Sequence, residues 1–93
     1  MTSFIHDPDA DLDYGFDWSP WLADGESLSA SSWSVTYGTA SEITLHDDTF
    51  DDTSTTVWVD GGTRSKDYKI TNHITTSAGR ADDRTHTLKV RDR

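Results

Sequence analysis

Leu12, Tyr14, Phe16 and Trp18 fall on every second residue, with Asp11, Asp13, Gly15 and Asp17 between them. A period of two marks a β-strand with one covered face. The intervening carboxylates require that the opposite face stay in water or meet positive charge. The same alternation returns at Tyr68, Ile70, Asn72 and Ile74, and again at Arg84, His86, Leu88 and Val90, with Ser77-Ala78-Gly79-Arg80 as the turn between them. Val57 and Val59 face one way and Trp58 the other in a strand over residues 55–60, which ends at the turn signal Asp60-Gly61-Gly62.

The remaining stretches complete the pattern. In a strand over residues 27–37 the apolar set changes phase from Leu28 and Ala30 to Trp33, Val35 and Tyr37, which predicts a bulge near Ser31-Ser32. Ile43 and Leu45 mark another strand, followed by an acidic loop over residues 46–52 around Phe50. Ser19-Pro20 has the chemistry of a cap and a first-turn proline, predicting one helical turn over residues 20–23 before the Asp24-Gly25 turn, with Trp21 and Leu22 closing one end of the core. Six or seven short strands at this spacing predict an all-β chain, an antiparallel sandwich. Tyr68, at the start of its strand, has the position of a tyrosine corner.

Residues 1–9 read as an extended arm ahead of a single domain over residues 10–93, because Pro8 cannot donate to a ladder and holds Asp7 extended. Phe4 and Ile5 lie outside the strand pattern, so unless they fold back on their own core they bury against a partner. On the second alternative the arm is dispensable for folding.

Composition narrows the function. Ninety-three residues form one domain with a thin core, which four Trp, three Tyr and three Phe help to fill, and no cysteine is available for a disulfide or a thiolate metal site. The chain carries a net charge of −9, and its first basic residue is Arg64. Nucleic acid as a partner is disfavoured, since no basic stripe can form on the acidic first two-thirds. No apolar run is long enough for a membrane span or a signal segment. Fifteen Asp against two Glu, with fourteen Thr and eleven Ser, suit turns and strand edges.

Catalytic and metal chemistry find no motif. Asp7, Asp9, Asp11 and Asp13 resemble the start of a calcium loop, but Leu12 stands where such a loop needs glycine and Trp18 where it needs a bidentate Glu. His6, His46, His73 and His86 match no ligand spacing, and no nucleophile elbow, zinc-helix or phosphate-loop motif occurs. No enzyme activity, metal or cofactor is expected. Trp18, Trp21, Trp33 and Trp58 could form a stacking platform, although only Trp58 points away from the apolar set of its strand. Arg80 and Arg84 flank Asp82 and Asp83, as an ion-pair set or a recognition rim.

The motifs Asp7-Pro8-Asp9-Ala10, Leu12-Asp13-Tyr14, Asp17-Trp18-Ser19 and Trp21-Leu22 resemble the opening of a family of short tailed-phage structural proteins, fiber-tail adaptor or minor virion proteins. The end of that family is similar to Val57-Trp58-Val59-Asp60-Gly61-Gly62, Tyr68-Lys69-Ile70-Thr71-Asn72, Ile74-Thr75-Thr76-Ser77-Ala78-Gly79-Arg80 and Asp82-Asp83-Arg84-Thr85. The resemblance spans the chain except residues 38–56. It implies an immunoglobulin-like sandwich placed in a virion between larger head, neck, tail or fibre subunits, assembled in the host cytoplasm in multiple copies, with no catalysis. The residues expected to touch those subunits are Phe4, Ile5, Pro8, Phe50, Trp58, Arg80 and Arg84. The alternative is an extracellular immunoglobulin-like carbohydrate-binding or adhesive module.

Overall fold

The computed structural model describes residues 2–91, so Met1, Asp92 and Arg93 of the expected arm and domain lie outside the described residues. Seven strands follow in order: β1 (Thr2–His6), β2 (Asp11–Asp17), β3 (Leu28–Tyr37), β4 (Ile43–Phe50), β5 (Ser54–Gly61), β6 (Asp67–Thr76) and β7 (Ala81–Val90). They form a four-stranded sheet in the order β1-β7-β6-β3 and a three-stranded sheet in the order β2-β5-β4. All pairs are antiparallel except β1 with β7. The chain crosses between sheets after β1, β2, β3 and β5, an immunoglobulin-type Greek key.

Alternation explains what the two sheets enclose. The inward residues Tyr14, Val57, Val59, Ile43, Tyr68, Ile70, Leu88 and Val90 make one buried cluster, with Leu12, Trp33, Val35 and Leu45 packed against it. A second cluster of Trp18, Leu28 and Ile74 is closed by Phe16, Trp21 and Leu22, so Trp21 and Leu22 do seal one end of the core. The tyrosine corner is present: Tyr68 Oη accepts from the Thr63 N–H at 2.9 Å and donates to Glu42 Oε1 at 2.7 Å. It ties the β5–β6 crossover to the single 3-10 turn at Ala40–Glu42.

Four expectations about local structure change. The N-terminal segment is extended, and it also folds back: β1 pairs along β7 from Thr2 opposite His86 to His6 opposite Val90. Residues 20–23 form no helical turn. The N–H groups of Trp21 and Leu22 both donate to the Trp18 carbonyl, at 2.9 and 3.1 Å, which closes a turn that begins at the strand end instead of at Pro20.

The bulge in β3 lies at Ser29, with a second register shift at Thr36, not at Ser31-Ser32. There the Ser29 hydroxyl donates to the Thr75 carbonyl at 3.1 Å and stabilises the extra residue. Finally, the acidic stretch after Leu45 is strand as far as Phe50. Asp47, with a φ of 50°, absorbs a register shift between His46 and Thr49, and pairing with β5 then resumes through Phe50. The true turn is residues 51–53, where Asp51 Oδ1 accepts from the N–H groups of Thr53 and Ser54.

Candidate docking surfaces

The outer face of the three-stranded sheet is set by register. Asp13 of β2, Trp58 of β5 and His46 of β4 stand abreast, and Asp11, Asp60 and Thr44 form the neighbouring row. Trp58 is 38% exposed because its neighbours Val57 and Val59 take the inward positions. A large ring therefore sits among carboxylates on a flat face. His46 spans two of them, with Nε2 2.8 Å from Asp11 Oδ1 and Nδ1 2.9 Å from Asp47 Oδ2. Those two hydrogen bonds raise the pKa of His46 above the usual histidine value. The two carboxylates thus favour the charged form of the ring.

The outer face of the four-stranded sheet is built of small hydroxyls. Thr71 Oγ1 bonds to Thr36 Oγ1 at 2.8 Å and to Thr85 Oγ1 at 2.9 Å, a chain that crosses β3, β6 and β7. Lys69 lies over the Tyr37 ring at 5.6 Å and His73 pairs with Asp83. Ile5, 54% exposed, points out from β1.

Between the sheets, the β2 and β7 edges frame an open groove from Gly15–Asp17 to Asp83–His86. Phe16 stacks on the His86 ring at 3.8 Å, and Phe4 meets His86 edge-on at 5.0 Å. His86 Nε2 donates to the Gly15 carbonyl at 2.8 Å. Burial lowers its pKa, which favours the neutral ring. Gly15 has no tolerance for a side chain, since a Cβ there would lie 2.1 Å from the Thr55 carbonyl oxygen.

The seven residues expected to meet partners are not brought into one site. Phe4 faces inward on β1, its ring 5.2 Å from Tyr14, and remains 38% exposed. Ile5 is on the hydroxyl face, Pro8 in the connection after β1, Phe50 at the end of β4 and Trp58 on the acidic face. Arg80 and Arg84 do not pair with the adjacent acids as a set. Arg84 lies 4.1 Å over the Trp18 ring and donates to the Asp17 carbonyl at 3.3 Å.

Arg80 stacks 4.1 Å from Trp21 and its Nε donates to Glu26 Oε2 at 2.9 Å. Sequence reading missed Glu26, which also accepts from the Ala23 N–H and the Thr76 hydroxyl. No local pattern reveals it, because its partners lie up to 54 residues away. Nor do the four Trp rings make a platform: Trp18 is fully buried and Trp21 and Trp33 pack on the core.

Arg80 first, then the Ala23 N–H and Thr76, pull the Glu26 pKa from its ordinary 4.5 down to about 2. A folded-state pKa below the unfolded one gives stability that is fully present above pH 4.5 and is lost as the pH falls toward about 2. Melting temperatures of the wild type and of Glu26→Gln should therefore converge across that window. A gap that stays constant from pH 6 to pH 2 would contradict the linkage.

Among the described residues no group of three or more His, Asp or Glu side chains is placed to hold a metal ion, and no helix is long and apolar enough to cross a membrane. What the fold offers is two contrasting flat faces, an exposed Trp and an open rim. Residues 6–89 match the model of the podophage GP4 fiber-tail adaptor protein gp77 family. The chain belongs to this family. It is thus a small phage virion adaptor with a β-sandwich fold, and the match runs from His6 at the end of β1 to Lys89 in β7, including residues 38–56, where the motifs had shown no resemblance. No curated protein matches the chain.

Proposed function

We propose that this adaptor acts as a rigid spacer between larger virion subunits, of the tail and fibre, and contributes docking surfaces and no chemical step. The observation that carries the reading is Trp58: a ring 38% exposed at the centre of an acidic sheet face, on a strand whose flanking valines are wholly buried. An aromatic anchor ringed by polar groups is the composition of a binding hot spot. Because Val57 and Val59 fix the strand from the other side, the ring is presented without mobility of its backbone, which limits the ordering cost of association. Phe50, 44% exposed at the end of β4, and Ile5 extend the contact surface to two further sides of the molecule. Arg80 and Arg84 act on docking indirectly, by holding Trp21 and Trp18 in place.

Trp58→Ala tests the assignment. The ring faces solvent, so the isolated variant should melt within a few degrees of the wild type, while the number of copies in purified virions falls roughly tenfold or more. Copies are counted by quantitative mass spectrometry of particles from a strain lacking the wild-type gene. Equal occupancy of wild type and variant would remove Trp58 from the interface.

A further inference from the structure

β7 is twice as long as the strand beside it. Among the described residues β1 covers only His86–Val90, whereas Ala81–Thr85 pair with β6 alone. The direction of the main-chain groups on that uncovered stretch follows from the hairpin. The Thr76 N–H donates to the Arg80 carbonyl at 2.8 Å, which makes Ile74 with Asp82 and Asn72 with Arg84 the hydrogen-bonded pairs of an antiparallel ladder. The N–H and C=O groups of Ala81, Asp83 and Thr85 then point away from β6, into the groove beside β2. The Asp83 N–H bears this out, for it bonds to the neighbouring Asp82 Oδ1 at 2.8 Å. That carboxylate oxygen stands where the carbonyl of an adjoining strand would be.

The edges of β2, β3 and β4 carry features that disfavour strand addition. β3 has two register shifts, and β4 has its shift at Asp47. On β2 the outward carbonyls of Gly15 and Asp17 are already taken by His86 Nε2 and Arg84 Nη1. Ala81–Thr85, by contrast, is in unbroken register with β6. It lies in line with β1, beside a groove of about 660 Å³ with the half-buried Phe16 exposed on its wall.

We propose that this open edge of β7 receives an extended segment from a different virion subunit, added as a strand in line with β1, with Lys or Arg flanking an apolar residue. The inference rests on the virion reading above and names the mode and partner chemistry. Charge selects the occupant. The groove is lined by Asp17 and by Asp83, whose carboxylate also pairs with His73, and Asp82 is the next residue along β7, while the Arg84 guanidinium is turned onto Trp18. A second copy pairing here about a twofold axis would set Asp83 opposite its own counterpart, which disfavours self-association. A strand bearing basic side chains meets the acids, and its inward apolar residue covers Phe16.

Asp83→Pro removes one edge-facing N–H and no ladder bond to β6, a substitution that sheet edges accept. Asp83→Asn keeps the N–H and removes the charge and the His73 ion pair. Both full-length variants are expressed in a strain lacking the wild-type gene, and copies per purified particle are counted. The Pro variant should fall roughly tenfold below the Asn variant, the effect of a lost main-chain bond and a blocked approach. Equal incorporation overturns the proposal.

In parallel, a photo-crosslinking residue in place of Asp82 is activated in intact particles, and it decides the matter alone where the Pro variant does not fold. A crosslink to another virion protein supports the proposal; one to a second copy of this chain, or none, overturns it. Absence of the wild-type protein from purified particles would instead overturn the virion reading itself.

Discussion

A chain that starts at Asp7 should lose a large part of its stability. β1 is short and lies at an edge, yet His6 is fully buried, its Nδ1 2.8 Å from Tyr14 Oη, and its carbonyl accepts from the Arg91 N–H at 3.1 Å. Phe4 covers Tyr14 and His86. Removing the strand uncovers one side of Leu88 and Val90, both now wholly enclosed, and leaves the Tyr14 hydroxyl without that partner. The lost burial and hydrogen bonds together cost on the order of 4–6 kcal/mol. A domain of this size holds about 5–14 kcal/mol in all. The truncated chain should therefore unfold at a far lower urea concentration than the full one. Coincident unfolding curves would mean that the segment is an arm and contributes nothing to the sheet.

The second large effect is expected at Asn72, in the middle of β6. Its Oδ1 accepts from Trp18 Nε1 at 3.0 Å and from the Thr55 hydroxyl at 2.7 Å; its Nδ2 donates to Ser31 Oγ at 2.9 Å and to the Ser32 carbonyl at 3.0 Å. All four hydrogen-bonding positions of the amide are used, and the residue is wholly buried. It links β3, β5 and β6 with Trp18 just past the end of β2, and so both sheets. Asn72→Ala strands the indole N–H of a fully buried tryptophan together with two hydroxyls, and opens a cavity between them. The cost is about 3–5 kcal/mol, well above that of a typical surface substitution. Chemical denaturation with Trp fluorescence measures it. A loss below about 1 kcal/mol would show that the network contributes little beyond packing.

These two sites have a functional consequence. An adaptor that transmits position from one subunit to another must not shear between its sheets, and the Asn72 network and the Tyr68 corner cross-link them at separate places. Of the proposed docking features, Trp58 lies on β5, which the Asn72 network holds through Thr55, and the open stretch of β7 pairs with β6, which carries both Asn72 and Tyr68. A fold this thin gains rigidity from polar cross-ties because its apolar core is small.

How much of this was legible differs from one element to the next. The alternation in β2, β6 and β7 identified the strands and their inward residues, and Val57-Trp58-Val59 placed the exposed ring correctly. The tyrosine corner was readable because its donor lies only five residues away. The β4 acids misled, because a run of Asp has the same local chemistry whether it forms a loop or a solvated strand held by its neighbour. The bulge at Ser29 depended on the Thr75 carbonyl across the ladder. Arg80 and Arg84 were set beside the nearest acids in the chain, while the partners they use, Glu26, Trp21 and Trp18, come from the other end of the sequence.

The sequence by itself determined which residues alternate, hence strands β2, β5, β6 and β7 with the covered face of each and the acidic character of one outer surface, because these follow from a period of two and from side-chain solvation. Only the tertiary structure decided that residues 2–6 complete a sheet, that Asn72 ties three strands to Trp18 and that half of β7 has, among the described residues, a neighbouring strand on one side only. Each of those depends on which distant segments lie side by side, and pairing between strands is fixed by main-chain groups that every residue carries alike.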